Sequence, residues 1–181
     1  GEVFPVKDHN SYLGSRYTDL EIKTAFQASG KKFSNSRDIV DLAAARLAEG
    51  KIVAWFQGAA EFGPRALGNR SILARPYPES RRDHLNERVK FREIFRPYAP
   101  SVLKEYSHDY FQLPQESPHM LIATRVCSDK KTEIPAVVHV DDSCRVQTVG
   151  PDNNPRFREL LEAFYEITGC PVLLNTSFNV K

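Results

Sequence analysis

The chain has 181 residues, 41% of them apolar and 27% charged, with a formal net charge of +2. That length fits one domain, or one domain with an extension, and is enough to bury a core. The apolar content argues against disorder, and the net charge is too mild to demand a nucleic-acid partner. No apolar run approaches the ~18 residues of a membrane span, and the start lacks a signal-peptide pattern. The three cysteines, 127, 144 and 170, are odd in number and form no Cys-x-x-Cys pair. They are read as reduced thiols of a cytoplasmic protein.

Residues 1–17 lack periodicity and read as a lead-in segment to a domain over 18–181. Thr18 and Glu21 form a capping box that opens a helix ending near Gly30. Ser36 is expected to cap a second helix, with Ile39, Val40, Ala43 and Leu47 on one stripe and Gly50 at its end. Residues 52–56 form a short apolar run, expected to be a buried strand. The stretch 58–71 is loop-rich, 71–74 a short strand and 80–89 a polar helix. Pro97 and Pro100 mark a loop before a strand over 101–103, and 121–126 is another strand. Residues 136–140 and 144–149 flank Asp141-Asp142-Ser143 and read as a hairpin. Asn154-Pro155 starts a helix carrying Phe157, Leu160, Leu161 and Phe164, closed by Gly169. Residues 171–174 form a last strand, followed by the polar loop 175–179. The chain stops soon after, which suggests that both ends are cuts from a longer polypeptide. The order of strands and helices points to a mixed α/β, or α+β, domain.

Charge is clustered. Between Arg65 and Lys104 stand ten Lys or Arg against four acids. The arginines are interleaved with Gly, Pro and Phe, unlike a solvated helix face with acid and base four residues apart. Gly63-Pro64-Arg65…Gly68-Asn69-Arg70-Ser71 resembles a phosphate cradle in composition but is neither a P-loop nor a Gly-x-Gly-x-x-Gly turn; a structured turn with exposed arginines is the alternative. On a strand, Lys90, Arg92 and Arg96 would share one face, with Phe91 and Phe95 on the other, towards the core. Arg145 sits in an alternating strand beside Gln147, where a salt-bridged structural role competes with ligand binding. Asn175, Ser177 and Asn179 follow an apolar strand, a place suited to ligand contacts or to a cap or turn. His139 beside Asp141 makes too small a set for a metal site, and no protein-held metal is expected.

Several blocks together resemble the C-terminal domain of the O-carbamoyltransferase family, which includes nodulation-factor, cephem and aminoglycoside carbamoyltransferases. They are Trp55-Phe56-Gln57-Gly58, Glu61 through Ala74, Lys90-Phe91-Arg92 through Phe95-Arg96-Pro97, and Ala99 through Leu103. Ile134-Pro135-Ala136 with His139-Val140-Asp141, Arg145 through Val149, Asn154 through Phe157, and Leu173 through Asn179 complete the set. They cover about residues 12 to 181, in order. Two departures stand out: Ala59-Ala60 where a basic or longer residue is usual, and Ile94 where Pro is usual.

The resemblance implies a YrdC-like adenylate-forming fold, a twisted mixed sheet flanked by helices. It implies that this domain uses ATP, Mg²⁺ and carbamoyl phosphate to make carbamoyl-adenylate. An N-terminal actin-like ATPase-fold domain of the same polypeptide would then pass the carbamoyl group to an alcohol. By motif it assigns catalytic roles to Lys90, Arg96 and Arg145. Substrate and nucleotide binding would fall on these three together with Arg65, Arg70, Ser71, Arg92, Asn175, Ser177 and Asn179. The physical case agrees: the two substrates carry roughly six negative charges, which need several cations to approach one another. No Ser-His or Cys-His pair is evident, so positioning and electrostatics would do the catalysis. Two other readings stand beside this one. One is a basic nucleic-acid module, weighed against because Phe91 and Phe95 read as core. The other is a non-catalytic docking domain.

Overall fold

The computed structural model describes residues 11–91, 93 and 98–179. Its centre is a six-stranded sheet in the order β1-β2-β6-β3-β5-β4. The strands are β1 (Val53–Phe56), β2 (Arg70–Ala74), β3 (Ala99–Leu103), β4 (Ile122–Arg125), β5 (Ser143–Val149) and β6 (Val172–Ser177). Only β3 and β5 pair in parallel; the other neighbours are antiparallel. The expected mixed α/β class is the class observed.

Among the described residues five α-helices accompany the sheet: α1 (Asp19–Ala28), α2 (Ile39–Ala48), α3 (Ser80–Leu85), α4 (Ser107–Tyr110) and α5 (Pro155–Thr168). The main core lies between the sheet, α2 and α5, which pack against each other. Helix α5 follows directly from its sequence. The Asn154 side chain accepts from Phe157 N, Pro155 occupies the first turn, and Gly169 closes the helix at φ 70°. Its stripe Phe157, Leu160, Leu161 and Phe164 is fully buried. Burying such side chains contributes roughly 1.5–3 kcal/mol each, as an upper estimate. Gly68, at φ 104°, lets the loop before β2 lie on this helix, because a Cβ there would collide with the Phe157 ring.

Several expectations are corrected. Helix α2 begins after Asp38, not Ser36. Strand β1 is an edge strand with only Trp55 buried, so its apolar run did not mean burial on both faces. The helix expected over 80–89 is α3 followed by a π-helical turn, Asn86–Lys90. Strand β3 includes Pro100; pairing with β5 starts only at Ser101, so the proline sits at the strand's beginning, where it is tolerated. Residues 136–140 form no strand. Pro135–Val137 is a 3₁₀ turn, and the partner of β5 is β4. A tight turn replaces the expected hairpin arm, with His139 N donating to Ser143 O and Asp142 N to His139 O. Asp141 fastens it: Oδ1 accepts from Ser143 N and Oγ and pairs with the His139 ring at 2.9 Å, which holds this carboxyl well below its usual range. Finally, β6 runs on through Asn175 to Ser177, residues expected to form a loop.

Candidate active site

Strand register gathers the polar residues. Paired residues on neighbouring strands share a face, as do residues two apart. Ser71 lies opposite Ser177, Asn175 opposite Ala99, and Ser101 opposite Gln147. Ser71, Ser177, Asn175, Ser101, Gln147 and Arg145 therefore share one face and form a polar strip across four strands. Hydrogen bonds confirm its middle. Asn175 Nδ2 donates to Ser101 Oγ at 3.0 Å and Gln147 Oε1 at 3.1 Å, and Ser101 Oγ donates to Gln147 Oε1 at 2.7 Å.

The loop between β1 and β2 lies against this strip through its carbonyls. Ala66 O accepts from Asn175 Nδ2, and Leu67 O from Gln147 Nε2. Glu61 shapes the loop: its Oε1 accepts from Leu67 N at 2.7 Å, Asn69 N at 2.8 Å and Arg70 N at 3.2 Å. A carboxylate receiving three main-chain donors acts as an internal anchor. A second network ties the loop to α5. Asn69 Oδ1 accepts from Gln57 Nε2 and Asn154 Nδ2, both at 2.8 Å, and Asn154 Oδ1 accepts from Gln57 Nε2 at 2.7 Å. Tyr12 joins by donating to Leu67 O and accepting from Asn154; burial pushes its phenol up to about 12. Part of the lead-in thus docks on the loop, through Gly14 N to Ala60 O and Ala60 N to Ser15 O as well.

The cations fall into three groups. Lys90, at the end of the π-helical turn, is buried, and its Nζ reaches four oxygens of two residues. These are Ser177 O at 2.5 Å and Oγ at 3.2 Å, and Asn179 O at 2.8 Å and Oδ1 at 2.9 Å. Ser177 Oγ donates in turn to Asn179 Oδ1. The structure thereby brings Lys90, Ser177 and Asn179 together. The expected alternation at this point is reversed, because Lys90 is buried and Phe91, at φ 46°, is 61% exposed. A helical turn ending in a left-handed residue replaces the expected strand, and the oxygens of Ser177, the last residue of β6, and of Asn179 just beyond it give the ammonium its reason to be inside.

Arg65 and Arg145 form the second group. Both Nε atoms are buried without a hydrogen-bond partner, and neither residue has an ion pair among the described residues. Burial, and then the neighbouring charge of Arg65, hold the Arg145 guanidinium below its ordinary value. Two neighbouring like charges with unmet donors are an arrangement that an oxyanion between them would satisfy. Arg65 also lines a cleft of about 460 Å³ with Phe62, Pro64, Leu121 and the hydrogen-bonded pair Ser11 and His119.

The third group is Arg70, whose donors are turned inward. They reach Gln57 O at 2.6 Å, Asn69 O at 2.9 Å, and Ser15 O and Gly58 O at 3.1 Å, while its guanidinium lies 3.5 Å above the Phe56 ring. Ser71 Oγ is buried and accepts from Gly68 N. Asn175 is buried as well, and its Oδ1 has no partner. Arg92 and Arg96, with Phe95, lie outside the described residues. Glu61, Gln57, Asn69 and Asn154 were not named as site residues from sequence; Asn154 was read only as a helix start, and Glu61 serves main-chain amides that carry no residue-type signal.

The 44–181 segment matches the family model described as Carbamoyltransferase C-terminus. The nodulation protein NolNO of Sinorhizobium fredii is 48% identical over 145 residues, covering 78% of this chain and 21% of that protein. The 3'-hydroxymethylcephem-O-carbamoyltransferase of Amycolatopsis lactamdurans is 43% identical over 165 residues, covering 91% of this chain and 31% of that enzyme. A crystal structure of full-length HypF, in a phosphate- and nucleotide-bound form, superposes with a TM-score of 0.56 at 20% identity, over 83% of this chain and 18% of that one. At that identity the likeness concerns the fold alone. The chain spans about a fifth to a third of the length of the curated relatives it matches. It belongs to the carbamoyltransferase C-terminal family, a family of transferases.

Proposed function

We propose that this domain binds carbamoyl phosphate and ATP and forms carbamoyl-adenylate, the first half of an O-carbamoyl transfer. The observation that carries the reading is the Arg65–Arg145 pair, two buried Nε donors without acceptors at one end of the polar strip whose other end is Lys90. Phosphate oxygens would satisfy both forks and offset their repulsion. Asn175 Oδ1, unpartnered on the same strip, is an acceptor suited to a carbamoyl N–H. Lys90, with Ser177 and Asn179 fixing its ammonium, would face charge developing at the α-phosphate and on the departing pyrophosphate. Arg92 and Arg96 are proposed to add to this field.

Atom balance defines the step. Carbamoyl phosphate surrenders its phosphate to water as inorganic phosphate, and a carbamate oxygen bonds to the α-phosphorus as the bond to pyrophosphate breaks. No carboxylate cluster suited to a divalent metal occurs among the described residues. The proposed Mg²⁺ would therefore be held mainly by phosphate oxygens, where it would neutralise charge. The acceptor site is assigned to an actin-like transfer domain of a longer polypeptide, which would cover the pocket and exclude water from the adenylate.

The test combines isotope exchange and mass spectrometry. With Mg²⁺, ATP and carbamoyl phosphate, the 181-residue chain should exchange labelled pyrophosphate into ATP and leave alcohols uncarbamoylated. Carbamoylated acceptor from this chain alone would refute the division of labour. Absence of both exchange and ATP binding would favour a docking domain. The exposure of Phe91 removes part of the argument against nucleic acid, so labelled RNA belongs in the same assay. A submicromolar site with a steep salt slope would favour the nucleic-acid module instead.

A further inference from the structure

A second pair of arginines lies at the other end of β2. Arg75 follows the strand's last residue, about 14 Å along the strand from Ser71. Arg81 is in the first turn of α3. Both meet Gly50, just past the end of α2: a Cβ there would lie 2.9 Å from Arg81 Nη2 and 3.1 Å from Arg75 Cζ. Gly50 has φ 82° and no side chain, and only a residue without a Cβ lets both forks pack this closely against it. Each Nε is buried without a partner. Burial, and then the charge of Arg75, hold the Arg81 guanidinium below its ordinary value.

The nearby carboxylates are already engaged. Glu79 and Asp83 pair with Arg82, and Glu49 pairs with Arg46. Among the described residues neither Arg75 nor Arg81 has a carboxylate partner. Arg75 is nevertheless held in place. Its Nη1 donates to Ala48 O at 3.0 Å, and its guanidinium lies 5.1 Å from the Tyr77 ring centre. The negative end of α2 offsets part of the repulsion and leaves the rest unmet. A carbonyl anchor, a ring and a close-packed glycine thus hold two guanidinium groups together, each with a buried Nε donor unmet.

We propose that Arg75 and Arg81 form a second oxyanion site that takes a phosphate-class anion, separate from the polar strip. Two planar forks suit a tetrahedral oxyanion with several acceptor oxygens better than a single carboxylate. The anion is free phosphate or the phosphate end of a larger molecule such as a nucleotide, and both arms belong in the experiment.

The wild-type chain is titrated with inorganic phosphate, pyrophosphate and ATP while the arginine Nε–H resonances are followed by NMR. Arg75→Lys and Arg81→Lys supply the assignments. The expected result is that inorganic phosphate shifts both signals in a saturable way. It should also shift them in Arg145→Gln, and its affinity should fall about tenfold in Arg81→Gln. Stronger binding of pyrophosphate or ATP than of phosphate would identify the larger molecule as the source. Silent signals for Arg75 and Arg81 in the wild-type chain with all three anions would overturn the site, whether or not the Gln variant folds. So would acetate shifting them as strongly as phosphate does.

Discussion

Arg70 and Arg145 are both partly covered arginines on the same sheet, and they are used in opposite ways. Arg70 gives its donors to four backbone carbonyls and lays its plane on Phe56. Arg145 keeps a buried Nε unmet and tolerates Arg65 as a neighbour. The first arrangement is complete without a ligand, whereas the second is stable only in so far as the rest of the fold holds it. That difference separates cations that build the loop from cations proposed to take an anion, and Lys90 stands between them. Its four oxygens hold it in position, yet those oxygens belong to Ser177 and Asn179, at the rim of the same strip.

The largest expected effect lies on the building side. Glu61→Ala removes the acceptor of three backbone amides and should cost about 3–4 kcal/mol in denaturant unfolding, because the amides are left without a partner. A loss below about 1 kcal/mol would show that water replaces the carboxylate. On the proposed anion-binding side, Arg145→Ala should weaken carbamoyl phosphate binding by about 1.5–3 kcal/mol in calorimetry and leave stability near wild type, since a like-charge contact is relieved. An unchanged dissociation constant would contradict the assignment. The mirror variant, Arg70→Lys, should do the reverse. It should lose about 1–2 kcal/mol of stability, because an ammonium cannot reproduce the fork, and bind carbamoyl phosphate as the wild type does. If both variants acted alike, the contrast between the two arginines would fail. The smallest change is expected from Ser177→Ala. Lys90 keeps three of its acceptors, so melting should barely move while pyrophosphate exchange slows. A large drop in melting temperature would make Ser177 a structural clamp.

Sequence reading served best where local chemistry decides. The Thr18–Glu21 capping box and the Asn154-Pro155 start of α5 stand as expected, because caps depend on residues three apart. It failed where tertiary partners decide. The segment 136–140 has strand-like residues, but Pro135 and the Asp141 turn take it elsewhere, and β4 claims the edge of β5. Asn175 to Ser177 look like loop residues, yet pairing with β2 and β3 keeps much of this polar run in the sheet. The family motif marks Lys90 as a site residue, but its burial depends on the oxygens of Ser177 and Asn179, nearly ninety positions later in the chain. Of the site, the residue types and the family pattern were legible. The partition among Arg65, Arg70 and Arg145 was not, because it depends on which carbonyls each fork can reach.

The central claim is that the two unmet guanidinium groups form the seat for the substrate phosphate. A crystal structure with carbamoyl phosphate and a non-hydrolysable ATP analogue tests it most directly. The account predicts phosphate oxygens within about 3 Å of both Arg65 and Arg145, with Arg70 still bound to its carbonyls. Ligands bound elsewhere, with both Nε atoms still unpartnered, would contradict it.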